Sequence, residues 1–232
     1  MNPENKDYEP LDRRPVASRE IGVFKKMAFS LAQKGVTPNA ISVASMGFAV
    51  VAGLALYATS VVESAWEIRL LWLLAAAGIQ LRLVANMLDG MVAIESGKAS
   101  PVGELFNEAP DRLSDGAILI GAGYAFGGIP EFGYLAALLA VGVAYVRALG
   151  ASAGAGQAFL GPMAKPHRMF VLTLAFLYSA FTPIAWQPLL LPDRGGGVMA
   201  LVLLIISVGC LVTTIRRLLW IAADLRRRPT YE

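Results

Sequence analysis

Six stretches of this 232-residue sequence, near residues 39–60, 68–94, 101–127, 131–151, 168–188 and 197–221, are predominantly apolar over about 20 residues or more. A helix of that length crosses the ~30 Å hydrocarbon layer of a bilayer, and a chain with six of them has few soluble folds open to it. Composition agrees: 56% of the residues are hydrophobic, 16% are charged and the mean hydropathy is +0.57, far from an ordinary soluble domain. The expected fold is an all-α integral membrane bundle of six transmembrane helices, with residues 18–232 forming one domain. The first stretch begins near residue 39, runs longer than a signal core and is followed by five similar ones, so it reads as a retained span. Cys210, the single cysteine, lies in the last stretch, which excludes an intrachain disulfide and gives redox chemistry no support.

No nucleic-acid partner is expected, and the distribution of the net charge of +3 carries more information than its size. Arg13, Arg14, Arg19, Lys25, Lys26 and Lys34 precede the first span, and Lys98 lies between the second and third. Arg147, Lys165 and Arg168 flank the loop after the fourth, and Arg226 to Arg228 end the chain. The opposite connections hold only Arg194 and, at a helix entrance, Arg69. Short basic flanks stay inside, so both termini are expected on the cytoplasmic face of a bacterial-type plasma membrane. Residues 1–17, with Pro3, Pro10, Pro15 and charges of both signs, read as a flexible polar tail. From 18 to 34, Ile21, Phe24, Met27, Ala28 and Leu31 recur at helical spacing between Arg19, Lys25, Lys26 and Lys34. This predicts an interfacial amphipathic helix on the cytoplasmic side, with a surface helix that touches only protein as the alternative. Thr37 and Pro38 then read as an N-cap and a first helical position, an arrangement that Ser100-Pro101 repeats.

The second and third spans hold Asn86, Asp89, Asn107, Glu108, Asp111, Arg112 and Asp115. Ionisable groups are costly inside a membrane and mark a polar cavity, an ion path or a metal site. At about 100° per residue, Asn86 and Asp89 stand about 60° apart, Ala93 falls within about 20° of Asn86, and Gly103, Asn107 and Asp111 advance about 40° per step. Each set makes one stripe, and the short turn around Glu95–Pro101 makes the two helices antiparallel neighbours whose stripes can face each other. Four oxygen donors can then converge, with open space beside them at Gly90, Ala93 and Gly103, and Pro110 frees a carbonyl next to Asp111. Hard divalent cations such as Mg2+ or Mn2+ suit such a set. The bland alternative is a hydrogen-bonded cluster that locks two helices together.

This spacing resembles the signature of the CDP-alcohol phosphotransferase family of integral membrane enzymes, D-x2-D-G-x2-A-R-x8-G-x3-D-x3-D. Here it reads N-x2-D-G-x2-A-I-x8-G-x3-N-x3-D, with Asn86, Asp89, Gly90, Ala93, Gly103, Asn107 and Asp111 at the family spacings and no gap. The six spans, the basic helix and the Gly35-Val36-Thr37-Pro38-Asn39 entrance are also similar to the family. The resemblance implies that Asn86, Asp89, Asn107 and Asp111 bind the metal, and that Gly90, Ala93, Gly103 and Asn39 line the site of the CDP-linked donor. It further implies that Asp111 takes the proton of the acceptor hydroxyl, with Asp89 as its catalytic companion.

Three positions depart from the family: Asn86 and Asn107 replace aspartates, and Ile94 replaces an arginine. Two carboxylates cannot balance two divalent ions as four can, so either one metal binds or another acid contributes. One tight metal is the expectation. Asp115, Glu108 and Glu104 are the replacement acids, and Asp115, one turn beyond Asp111, comes first among them. Arg147, Lys165, His167 and Arg168 lie at the cytoplasmic ends of the fourth and fifth spans, where similar places in the family hold the phosphate of a phosphorylated acceptor. Topology and anionic lipid contact are the alternative account of that charge. The resemblance implies transfer of a phosphatidyl group from CDP-diacylglycerol to a small polar acceptor with release of CMP, by a homodimer among membrane lipids. Two alternatives stand beside it: transfer of a phosphoalcohol from a CDP-alcohol to a diacylglycerol-type lipid, and a small transporter whose polar residues line an ion route.

Overall fold

The computed structural model describes residues 21–97, 101–187, 191, 193 and 195–227, and of residues 101–107 the backbone alone. The described part is all-α: α1 (Gly22–Gln33), α2 (Pro38–Ala58), α3 (Ala65–Glu95), α4 (Pro101–Tyr124), α5 (Pro130–Ser152), α6 (Lys165–Phe181) and α7 (Val198–Arg227), with a short 3-10 turn at Ile184–Trp186. Helices α2 to α7 fall on the six apolar stretches, although α6 ends at Phe181, seven residues before the expected end. Four of them, α2, α3, α5 and α7, are long and apolar enough to cross a membrane. The first half of α4 carries Glu104, Glu108, Asp111 and Arg112, and the 17 residues of α6 reach only about 26 Å. Helix α7 continues six residues past the expected end, because hydropathy stops where charge begins while a helix need not. Its last turn holds Arg226 and Arg227, which complement the helix dipole.

The start of α2 follows the sequence: Pro38 is its first residue, and the Thr37 hydroxyl accepts the Ala40 N–H at 3.2 Å. Helix α1 begins at Gly22, and residues 18–20 lie outside the described set. Its apolar residues divide between two environments. Ala28 is fully buried beside Ile41, Ala85, Leu88 and Val92, with Leu31 and Ala32 packed against them, whereas Val23, Met27 and Phe29 are exposed.

The chain divides into two compact units, Met1–Val51 with Ala77–Ser114, and Ala52–Ala76 with Asp115–Glu232. The core of the first is the cluster around Ala28 and Val92. The second is built on α5 against α7 and on close contacts through small residues. Bilayers supply little hydrophobic force between helices, so packing must come from backbones that approach closely. A Cβ at Gly53 would stand 2.7 Å from the Ala117 carbonyl oxygen, and one at Gly121 would stand 2.7 Å from the Gly53 Cα. Both neighbours are backbone and cannot rotate away. Gly121→Val is therefore expected to lower the unfolding midpoint in detergent by an amount matching about 1–3 kcal/mol of overpacking. An unchanged midpoint would show that the helices separate without cost.

Candidate active site

The polar residues of the first unit gather on one stripe of α3 and on the residues of α2 and α4 that bond to it. On α3, Arg82, Asn86, Asp89 and Ala93 follow one another at i, i+4, i+7 and i+11, a single stripe of the helix. Asp89 is 2% exposed. Its Oδ1 accepts the Gly90 N–H at 2.6 Å, and its Oδ2 accepts the Ser42 hydroxyl at 2.8 Å. Ser45, one turn along α2, donates to Asn86 Oδ1, and Asn86 Nδ2 in turn donates to Asp111 Oδ1. Three helical segments thus meet in two hydrogen-bonded groups, Asp89 with Ser42 and Gly90, and Asp111 with Asn86 and Ser45. Beside Gly90 a Cβ would meet nothing within 4 Å, which leaves space next to Asp89.

A residue that the signature does not contain completes the cluster. Arg82 is fully buried, and its Nη2 donates to Asp111 Oδ1 and to the Asp111 main-chain oxygen, each at 3.2 Å. At the exposed flank, Arg112 donates to Glu108 at 2.7 Å and lies 3.9 Å from Asp111 Oδ2. Glu108 is thereby committed to an i,i+4 pair on the surface. The side chains of Gly103, Glu104 and Asn107 lie outside the described residues, although their backbone continues α4. Asn39 is exposed at the start of α2, and Ala93 is half-buried. Pro110 sits inside α4 and cannot donate to the carbonyl of residue 106.

Among the described residues no group of three acidic, histidine or cysteine side chains is placed to share an ion. What these residues offer is two carboxylates, one amide oxygen and two hydroxyls, all hard oxygen donors, each held by a hydrogen bond. This chemistry fits Mg2+ or Mn2+, which take carboxylate, amide and substrate-phosphate oxygens together.

Asp115 belongs to the second unit and has another partner. It is 2% exposed, and its Oδ2 accepts from Arg168 Nη2 at 2.7 Å, while Arg168 Nη1 donates to the Met163 carbonyl at 2.9 Å. Arg168 itself is 1% exposed, so the pair is a buried strut between α4 and the start of α6. The other predicted cations differ. Arg147 is half-buried near the end of α5, donates to Gln157 at 3.0 Å and stacks over the Phe159 ring at 5.6 Å. Lys165 is half-buried in the first turn of α6, and His167 is exposed there.

No family model matches the sequence. Archaetidylinositol phosphate synthase of Pyrococcus horikoshii is 27% identical over 161 residues, which cover 68% of this chain and 78% of that protein. Phosphatidylinositol phosphate synthase of Mycobacteroides abscessus is 25% identical over 170 residues, 71% of this chain and 72% of that one. Among solved structures, Mycobacterium tuberculosis phosphatidylinositol phosphate synthase in complex with manganese and citrate superposes with a TM-score of 0.70 at 19% identity, over 90% of this chain and 93% of that one. The same enzyme with CDP-DAG bound gives 0.72 at 17% identity, over 91% and 100%. The chain shares the fold of these structures.

Proposed function

We propose that this chain is a membrane-embedded CDP-alcohol phosphotransferase that moves a phosphatidyl group from CDP-diacylglycerol onto a hydroxyl of a phosphorylated polyol, releasing CMP. The observation that carries this reading is the placement of Asp89 and Asp111 at the signature spacings, with Asn86, on the Asp89 stripe of α3, donating to Asp111 inside a helical membrane fold. The relatives' names support it, since they describe synthases of inositol phosphate lipids, and one structural neighbour holds CDP-DAG and another manganese. An inositol phosphate is therefore the first acceptor to test. All six helices α2 to α7 cross the plasma membrane in this reading, α1 lies along its cytoplasmic surface with both termini on that side, and the enzyme is a homodimer.

Asn86, Asp89, Asn107 and Asp111 hold one divalent cation, Mg2+ or Mn2+. The bound ion supplies positive charge against the diphosphate and the departing CMP. The residues of the chain do the rest. Gly90 and Ala93 leave room for the nucleotide, and Gly103 and Asn39 line the donor site with them. Asp111 receives the proton of the acceptor hydroxyl as its oxygen forms a bond to the lipid-bearing phosphorus, and the bond from that phosphorus to the CMP oxygen breaks with its electron pair. Arg147, Lys165 and His167 hold the acceptor's own phosphate as charged donors. Arg168 supports them through its bond to Asp115, and Asp115 is a counter-ion instead of a metal ligand.

The test is CMP release by the purified protein. With CDP-diacylglycerol, an inositol phosphate and Mg2+ or Mn2+, CMP and a phosphorylated lipid are expected in equal amounts, and chelation should stop both. Product formed only from a CDP-alcohol and diacylglycerol would reverse donor and acceptor. No release from any donor would overturn the enzyme reading in favour of transport.

A further inference from the structure

Arg82 lies four residues before the first signature position and reaches the carboxylate at the last one. A fully buried guanidinium in a membrane helix is costly, and such a residue persists where its charge has work to do. We propose that Arg82 is a resident cation of the site: it positions Asp111 and takes the place, in charge, of a second divalent ion, so that the site accepts a single one. This rests on the transferase reading for the role of Asp111 and the ion, whereas the charge balance stands on the residues themselves.

The geometry supplies the positioning. One Nη2 bonds both Asp111 Oδ1 and the Asp111 main-chain oxygen, so the carboxylate is held against its own backbone. Asn86 donates to the same Oδ1 from the other signature end. An aspartate at 86 could not donate there; ionised, it would set two anionic oxygens against each other unless a cation stood between them. The amide at 86 and the arginine at 82 therefore work as a matched pair that joins the two helices without such a bridge.

The charges agree among the described residues. Asp89 and Asp111 bring two negative charges and Arg82 returns one, while Arg112 and Glu108 offset each other at the exposed flank. One divalent ion turns this balance to a single net positive charge, which the diphosphate of the donor absorbs. Two ions would leave a threefold excess of positive charge in a buried site, which low dielectric makes unfavourable.

The experiment uses the full-length protein in nanodiscs of neutral lipid, with Mn2+ binding read by electron paramagnetic resonance and CMP release measured alongside. Wild type is expected to bind one Mn2+ per chain. Arg82→Gln is expected to bind Mn2+ about tenfold more tightly or to take a second ion, while CMP release falls by about tenfold or more because Asp111 loses its hold. Arg82→Lys restores the charge and should return Mn2+ affinity to within about threefold of wild type. An arginine that served only the fold predicts the reverse, a loosened site that binds Mn2+ more weakly. Weaker or unchanged Mn2+ binding by Arg82→Gln would overturn the proposal. Should that variant not fold, Asn86→Asp combined with Asn107→Asp decides: with Arg82 kept, the two added carboxylates bring two ions to the same single net positive charge, so two Mn2+ per chain are expected, and one would overturn the charge balance. Absence of CMP release from wild type with every donor would count against the transferase reading alone, and the Mn2+ comparison would still decide the role of Arg82.

Discussion

Replacing Asp111 by Asn is expected to reduce CMP release by about 10^3-fold, within the range that loss of a positioned general base costs. The substitution keeps the size of the side chain and an oxygen that can accept from Arg82 and Asn86, so the cluster should survive around it. What it removes is the capacity to take a proton and one of the two negative charges. Both losses act on the chemical step, and the change should appear in kcat more than in the KM for CDP-diacylglycerol. Turnover of the Asn variant within a few-fold of wild type would move the base to another residue.

The largest effect on stability is expected at Asp115. Its bond to Arg168 at 2.7 Å joins two side chains that are both almost wholly buried. Taking one charge from such a pair leaves the other desolvated and uncompensated, a loss of about 3–5 kcal/mol. Asp115→Ala should therefore unfold in detergent at a clearly lower temperature. Adding Arg168→Met should recover much of the loss, since an apolar pair avoids the stranded charge. A single variant as stable as wild type would show that water or lipid headgroups already reach the guanidinium. The same experiment separates two roles for Asp115, because a metal ligand would alter Mn2+ binding with little change in unfolding.

Much of this was legible in the sequence because apolar length and helix-start chemistry are local. Thr37, Pro38 and the six apolar stretches needed no partner to be recognised, and the spacing of Asn86, Asp89 and Asp111 followed from helical periodicity alone. Arg82 was within reach of the same reasoning: it stands on the Asn86 stripe, seven residues before Asp89, and a charge within a membrane span is a signal in its own right. Ser42 and Ser45 gave no such signal, since hydroxyls in membrane helices usually bond their own backbone, and Ser42 also does so, to the Pro38 carbonyl at 3.2 Å. The pairing of Asp115 with Arg168 could not be read either. It joins residues 53 positions apart in sequence, and helical spacing from Asp111 pointed equally well to a place in the metal cluster. Tertiary contact decides which carboxylate meets which arginine.

The bond between Arg82 and Asp111 also separates two kinds of cation by their reversibility. A dissolved ion comes and goes with the ionic composition around the membrane, and a chelator can strip it. A guanidinium tethered to α3 has constant occupancy. The carboxylate at the centre of the site therefore keeps a counter-charge when the solution holds no divalent metal, and loading the ion needs no rescue of a repelling cluster.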